Sequence, residues 1–167
     1  QVTLSNGRNR DFDNLLGFSH EARDGFDRLD RYEPPRMSSD QYLFFFHDDW
    51  KRPVQEFASD IRRRWKGDNI FQIGISPSAH AEASCTLSVL GTDYLSSVYL
   101  FMADKDGITP LESNNGYEIP ANSKTQYRTI FVTDNKHFAK SFPVAFSMGN
   151  PYPNPMPITF GRLQAGN

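Results

Sequence analysis

The sequence is short of the features that define several common protein classes. Its 167 residues include one cysteine, Cys85, so a disulfide within the chain is excluded. No apolar run approaches the roughly 20 residues of a membrane-spanning helix, and no internal repeat or low-complexity tract is present. The formal net charge of −2 argues against nucleic acid or an anionic membrane surface as the main partner. These absences favour a globular domain without membrane insertion.

The residue patterns that usually carry catalysis are missing as well. The four histidines lack metal-ligand spacing, such as two histidines one helical turn apart, and His47-Asp48-Asp49 stands alone. The segment Gly74-Ile-Ser-Pro-Ser78 lacks the closing glycine of a serine-nucleophile elbow. Cys85 lies in an alternating segment, where a small buried side chain is a simpler interpretation than a nucleophile. We therefore expect no enzymatic activity, and the sequence identifies no ligand.

Aromatic residues and strand patterns are abundant instead. The chain contains 14 Phe and 7 Tyr, and apolar residues alternate with polar ones in several short segments. Glycine, proline, asparagine and aspartate separate these segments, as expected for turns between strands. The strand-like segments are 42–46, 71–75, 85–89, 98–102 and 127–132. This pattern predicts an all-β fold, a sandwich of the immunoglobulin or jelly-roll kind.

The chain divides into three predicted parts. Residues 1–41 are polar and charge-mixed without alternation, which predicts an irregular N-terminal segment packed on the sandwich and closed by Pro34-Pro35. Residues 42–141 are the predicted β-sandwich domain. Residues 142–167 form a predicted proline-rich connector and terminal strand, because proline fixes φ and donates no backbone hydrogen bond. We expect this strand to be the first of a further domain that the chain lacks.

Two parts of the chain resemble large secreted multidomain proteins of Gram-negative bacteria. The first is the Asp13–Pro35 segment, with Asp13-Asn14, Asp24-Gly25 and Glu33-Pro34-Pro35, followed by the aromatic run 44–46, His47 and Trp50. The second comprises Tyr152-Pro-Asn-Pro155 and Ile158-Thr-Phe160, which resembles the opening of the immunoglobulin-like C-terminal domain of such proteins, including those exported by the type IX pathway. The resemblance implies a secreted, cell-surface β-sandwich and carries over no catalytic residues.

The leading functional hypothesis is a non-catalytic extracellular structural module that assembles by strand donation. Ile158 and Phe160 share one strand face, and a bulge at Gly161 would return Leu163 to that face. Completing a neighbour's sheet would bury these side chains, with copies of the chain or neighbouring domains of a secreted protein as partners. Repeated head-to-tail contacts of this kind build filaments. The alternative is that the tail pairs with its own sandwich.

A carbohydrate-binding module of a secreted polysaccharide-active protein is the second functional hypothesis. Tyr42, Trp50 and Trp65 are its candidate sugar-stacking residues. In the run 42–46, alternate rings face opposite sides of a strand, so one face belongs to the core. The other face either packs beneath the N-terminal segment or forms a platform for polysaccharide.

Two charged runs allow a ligand interpretation and a plainer one. Asp24, Asp27 and Asp30 could supply oxygen ligands to Ca²⁺, the single cofactor considered, although no EF-hand spacing is present. The arginines between them favour a salt-bridged loop. The run Arg62-Arg-Arg64 resembles a phosphate clamp, but acidic residues on both sides favour a solvated strand edge that discourages pairing.

Overall fold

A computed structural model of the chain describes eleven β-strands and a short 3-10 turn. It describes residues 1–5, 10–35, 41–63, 67–76, 85–90, 98–104, 106–112, 115–122 and 124–141. The strands are β1 (Val2–Ser5), β2 (Arg10–Ser19), β3 (Tyr42–Phe46), β4 (Glu56–Phe57), β5 (Ser59–Arg63), β6 (Asn69–Ser76), β7 (Cys85–Val89), β8 (Tyr99–Asp104), β9 (Gly107–Pro110), β10 (Tyr117–Ile119) and β11 (Gln126–Thr133). The 3-10 turn is Phe138–Ser141.

The strands form two sheets that pack face to face. One has five strands in the order β10-β7-β1-β2-β5, and the other has six in the order β4-β3-β6-β11-β8-β9. The pair β2–β5 is parallel, and the other described pairs are antiparallel. The main core takes side chains from both sheets, including Val2, Leu4, Leu87, Val89, Leu43, Phe45, Phe71, Ile73, Met102 and Ile130. The predicted all-β sandwich is confirmed.

Alternation of apolar residues locates the central strands. Phe71, Ile73 and Ile75 are at most 1% exposed and belong to the main core, so β6 turns every second side chain inward. The five segments predicted to be strand-like lie on β3, β6, β7, β8 and β11. Asp104 and Gly107 face each other where β8 pairs with β9, and Gly107 has a φ of 142°, a conformation that favours glycine.

Strand β3 is apolar on both faces, and on its outer face the Phe44 ring packs over Gly74 of the neighbouring strand β6. Leu43 and Phe45 belong to the main core, whereas Phe44 lies on the opposite face and is 1% exposed. The Phe44 ring contacts the rings of Tyr42 and Tyr127 at centroid distances of 5.5 and 6.3 Å. A Cβ added at Gly74 of β6 would lie 2.1 Å from Cζ of Phe44. Gly74 therefore leaves the space in which the ring lies against the sheet.

A second apolar cluster covers another part of the outer face of the six-stranded sheet. It contains Phe101 and Ala103 of β8, Phe131 of β11 and Phe138 of the 3-10 turn. The ring of Phe138 lies 5.5 Å from that of Phe101 and 4.9 Å from that of Phe131. The six-stranded sheet thus buries side chains on both faces, which explains why β8 and β11 read as apolar runs.

The N-terminal part of the chain corrects one prediction. Residues 1–41 were expected to be irregular, but Val2–Ser5 and Arg10–Ser19 are strands of the five-stranded sheet. Val2 faces Val89 of β7 on one side and Asn14 of β2 on the other, so β1 lies at the centre of that sheet. These residues belong to the sandwich itself. The boundaries at residues 41 and 141 stay predictions.

Residues 56–63 form a corner at which the chain passes from one sheet to the other. Its first part, β4, pairs with β3 of the six-stranded sheet, and its second part, β5, pairs with β2 of the five-stranded sheet. Residues 29–33, the corner cover, follow the outer edge of this passage. The backbone N–H of Glu33 donates to the Glu56 carbonyl (3.0 Å), and that of Ala58 donates to the Arg31 carbonyl (2.8 Å). The corner cover therefore occupies edge groups that a second chain could otherwise pair with.

Candidate functional site

Charged side chains from the two sheets meet beside this corner. His47 directly follows β3, and Asp60 and Arg62 lie on β5. His47 Nε2 lies 2.9 Å from Asp60 Oδ2, and His47 Nδ1 lies 3.0 Å from Asp49 Oδ1. Arg62 donates to both carboxylate oxygens of Asp60, at 2.9 Å from Nε and 2.8 Å from its terminal nitrogen. We call these four residues the inter-sheet clasp, because Asp60 joins the two sheets through His47.

The protonation of His47 follows from its partners. Each ring nitrogen faces a carboxylate oxygen, and only the imidazolium form can donate from both nitrogens. Burial lowers the pKa of His47, but the hydrogen bonds to Asp49 and Asp60 outweigh it, so the pKa is raised. Burial likewise raises the pKa of Asp60, and the hydrogen bonds from His47 and Arg62 more than reverse this effect. With His47 in its imidazolium form, the clasp contains two cations and two anions.

His47 and Asp60, at the centre of the clasp, are closed to solvent. His47 is 6% exposed and Asp60 is 0% exposed. The Trp50 ring stacks on the His47 ring at a centroid distance of 3.5 Å and an angle of 9°, and the Phe57 ring meets the His47 ring edge-on at 5.8 Å. Arg62 also lies over the Phe71 ring, 4.2 Å from its centroid. These contacts indicate that the charged side chains of the clasp hold the two sheets together.

Arg62 differs from its predicted role. The run Arg62-Arg-Arg64 was interpreted as a solvated strand edge, which was wrong for Arg62, because this side chain turns inward to neutralise buried Asp60. Arg63 is exposed, as expected for the next residue of a strand. Arg64 lies outside the described residues.

The candidate sugar-stacking residues are not brought together where the structure describes them. Trp50 is half-buried against His47, Phe26 and Phe57. Tyr42 lies on the outer face of β3, where its ring contacts Phe44 and its hydroxyl donates to Glu56 Oε2 at 2.7 Å. Trp65 lies outside the described residues, as do the assembly-strand residues Ile158, Phe160 and Leu163. Their predicted roles stay predictions.

The aspartate run caps backbone groups at the corner. Asp27 accepts hydrogen bonds from the backbone N–H groups of Arg23 and Leu29, both at 2.7 Å. Asp30 accepts from the backbone N–H groups of Asp27 and Ile61, both at 2.9 Å, and so ties the corner cover to β5. Asp24 is exposed. Across the described ranges, no group of three or more histidine, cysteine, aspartate or glutamate side chains is placed to hold a metal ion.

Glu33, in the corner cover, gives a pH-dependent prediction. Its burial and the nearby charges of Asp11, Glu56 and Asp13 raise its pKa to about 7. A carboxyl group with a raised folded-state pKa destabilises the fold as pH rises from its unfolded pKa, about 4.3, to the folded value. Glu33→Gln is therefore expected to leave stability unchanged near pH 4 and to raise it near pH 8. Urea unfolding at both pH values measures this difference.

The matched control for this prediction is Glu118→Gln, which changes an exposed glutamate on β10. It should leave the difference between the two pH values as in the wild type. A Glu33→Gln protein that is no more stable than wild type at pH 8 would contradict the role assigned to Glu33.

The sequence alone did not reveal the inter-sheet clasp. In the sequence, His47 and the Arg62 run belong to separate segments, and Asp60 is one acidic residue among several. The available signal was a single acidic residue, Asp60, in a segment whose neighbours Phe57, Ala58 and Ile61 are apolar. An aspartate there requires a cationic partner if it is buried.

Comparisons with known proteins add no family assignment. No protein-family model matches the chain, and neither curated proteins nor solved structures gave a match. In the part of the chain that the structure describes, no helix has the length and apolar character needed to cross a membrane.

Proposed function

We propose that this chain is a non-catalytic structural module of a secreted or cell-surface protein, which joins copies of itself or neighbouring domains by strand addition. The observation that carries the proposal is the closure of the inter-sheet clasp. Among the described residues, His47, Asp49 and Asp60 form the buried group that suits acid–base chemistry, and with Arg62 they satisfy one another instead.

General acid–base catalysis requires a group within hydrogen-bond reach of the substrate proton. Both ring nitrogens of His47 are engaged, one ring face is covered by Trp50, and the residue is 6% exposed. Asp60 is 0% exposed and accepts from two cations. A substrate would have to break the link between the sheets in order to reach these groups, which supports a structural role.

Strand addition requires a sheet edge, and the two sides of the sandwich differ in this respect. The corner cover occupies the side formed by β4 and β5. The opposite side is formed by β9 and β10, each of which pairs with a single strand among the described residues. Pro110 of β9 has no backbone N–H, so β10 is the better acceptor. The segment containing Ile158, Phe160 and Leu163 is the proposed donor, as alternation places Ile158 and Phe160 on one face.

The test is the state of association of the purified chain. We expect the wild-type chain to form oligomers whose mass, measured by light scattering, grows with protein concentration and which appear as filaments in negative stain. The double variant Ile158→Asp/Phe160→Asp should be monomeric, because it places charges on the donated face. Thr159→Asp is the matched control on the opposite face and should still associate. A wild-type chain that stays monomeric at all concentrations would contradict strand addition.

A further inference from the structure

A cleft lies on the side of the sandwich opposite the corner cover. It has a volume of about 280 Å³ and is lined by Thr109, Pro110, Glu112, Asn115, Gly116 and Tyr117. These residues belong to edge strand β9, edge strand β10 and the connection between them. The cleft is thus remote in the strand order from the inter-sheet clasp, which lies beside β4 and β5.

The walls of this cleft are held in place by contacts outside it. The Tyr117 hydroxyl donates to Asp104 Oδ2, and Asp104 Oδ1 accepts from the backbone N–H groups of Asp106 (2.7 Å) and Gly107 (3.1 Å). Burial and the hydrogen bond to Asp104 raise the pKa of Tyr117 to about 12. The ring orientation is therefore fixed by the β8–β9 turn, and its hydroxyl is already occupied.

The described residues of the connection between β9 and β10 are held by hydrogen bonds as well. Asn115 Nδ2 donates to Glu112 Oε2 at 2.9 Å, and the Asn115 backbone N–H donates to the Glu112 carbonyl at 3.1 Å. Buried Leu111 anchors the start of the connection through its N–H to the Leu100 carbonyl at 2.8 Å. Gly116 approaches Thr86 so closely that a Cβ would lie 2.1 Å from Thr86 Cγ2. When the walls of a cleft are already in place, ligand binding costs less conformational entropy.

The chemistry of the lining selects among ligand classes. Glu112, Asn115 and Thr109 offer a carboxylate, an amide and a hydroxyl, which together accept and donate hydrogen bonds. Tyr117 and Pro110 add ring carbon surfaces, on which the C–H groups of a sugar ring can pack. The described lining residues include an anion and no cation, which disfavours phosphates and acidic sugars. The volume is slightly below the roughly 300–1,000 Å³ typical of drug-sized ligands, so the ligand is small.

We propose that this cleft binds a single neutral sugar ring, such as one residue of a surface polysaccharide. Glu112 and Asn115 hold its hydroxyl groups, and Tyr117 packs against its carbon face. This site is distinct from the Tyr42, Trp50 and Trp65 set. It lies at β10, which is also the proposed acceptor edge, so a donated strand would compete with the sugar. The binding experiments therefore use the full-length chain in the Ile158→Asp/Phe160→Asp background, in which that strand is not donated.

Saturation-transfer NMR and titration of the full chain test the site. The probes are the methyl glycosides of D-glucose, D-galactose, D-mannose and N-acetyl-D-glucosamine, with methyl D-glucuronide as the anionic comparison. We expect at least one neutral glycoside to bind with a Kd on the order of 1 mM, as suits a ligand of this size in an open cleft. The glucuronide should bind more weakly than the neutral glycosides.

Substitutions of cleft residues test whether the glycoside binds in this cleft. Glu112→Ala and Asn115→Ala change exposed residues and should each weaken binding by about tenfold or more. Glu118→Ala, an exposed residue of β10 outside the cleft lining, is the matched control and should bind as the background chain does. The proposal is overturned if no neutral glycoside binds to the folded chain, if the glucuronide binds more tightly, or if binding survives both cleft variants undiminished.

Discussion

Asp60→Asn is expected to lower the free energy of unfolding by about 3–5 kcal/mol, because it removes the charge of one partner in a buried ion pair. The substitution keeps the size of the side chain but removes the charge that neutralises Arg62 and His47. Asp60 is 0% exposed, so water cannot replace the lost carboxylate without opening the clasp. Such a loss is a large fraction of the 5–15 kcal/mol typical of a domain. Urea unfolding at pH 6 followed by fluorescence measures it.

Asp49→Asn provides the matched control for this prediction. Asp49 bonds to the other ring nitrogen of His47, but its side chain is 70% exposed. Water can solvate the groups that this substitution leaves behind, so the expected cost is below about 1 kcal/mol. Equal costs for the two variants would mean that the clasp does not join the sheets as described.

Gly74→Ala is expected to destabilise the protein by about 3 kcal/mol, through overpacking of the outer face of β3 and β6. The added Cβ would lie 2.1, 2.4 and 2.7 Å from three carbons of the Phe44 ring. The ring is 1% exposed and in contact with Tyr42 and Tyr127, so it cannot swing into solvent. Thermal or urea unfolding of the single variant measures the cost.

Two further variants identify Phe44 as the cause. In a Phe44→Leu background, Gly74→Ala should cost clearly less than in the wild type, since the smaller side chain leaves room for the methyl group. Gly17→Ala is the control for a glycine within a strand, because its Cβ would meet only Ile61 Cδ1 at an ordinary 3.6 Å. That variant should be neutral or stabilised by about 0.5–1 kcal/mol. Additive effects of the Gly74 and Phe44 substitutions would count against direct contact.

The central strands could be predicted from sequence because burial there has a simple period. On β6, every second residue from Phe71 to Ile75 faces the main core, so the pattern is visible in the residue types themselves. The apolar runs of β8 and β11 were also recognisable as strands, and the clusters on both faces explain why they do not alternate. The fold class followed from these strands.

Strand β2 could not be predicted in this way. Of its ten residues, only Asn14 is buried, and the apolar Phe12 and Leu15 are 59% and 38% exposed. Its strand conformation depends on pairing with β1, its neighbour in sequence, and with β5, which is distant in sequence. The residue pattern of β2 itself shows neither pairing. The clasp was hidden for a related reason, because its partners meet only after the chain passes from one sheet to the other at the corner.

The position of β1 determines when the sandwich can form as the chain is made. Val2 pairs with Val89, and β7 in turn pairs with β10, which ends at Ile119. A chain that emerges N-terminus first therefore holds β1 and β2 as an isolated pair of strands, which is at best marginally stable in water, until most of the remaining strands have appeared. Such distant pairings fold slowly. The five-stranded sheet can therefore close around β1 only after β7 and β10 have been made.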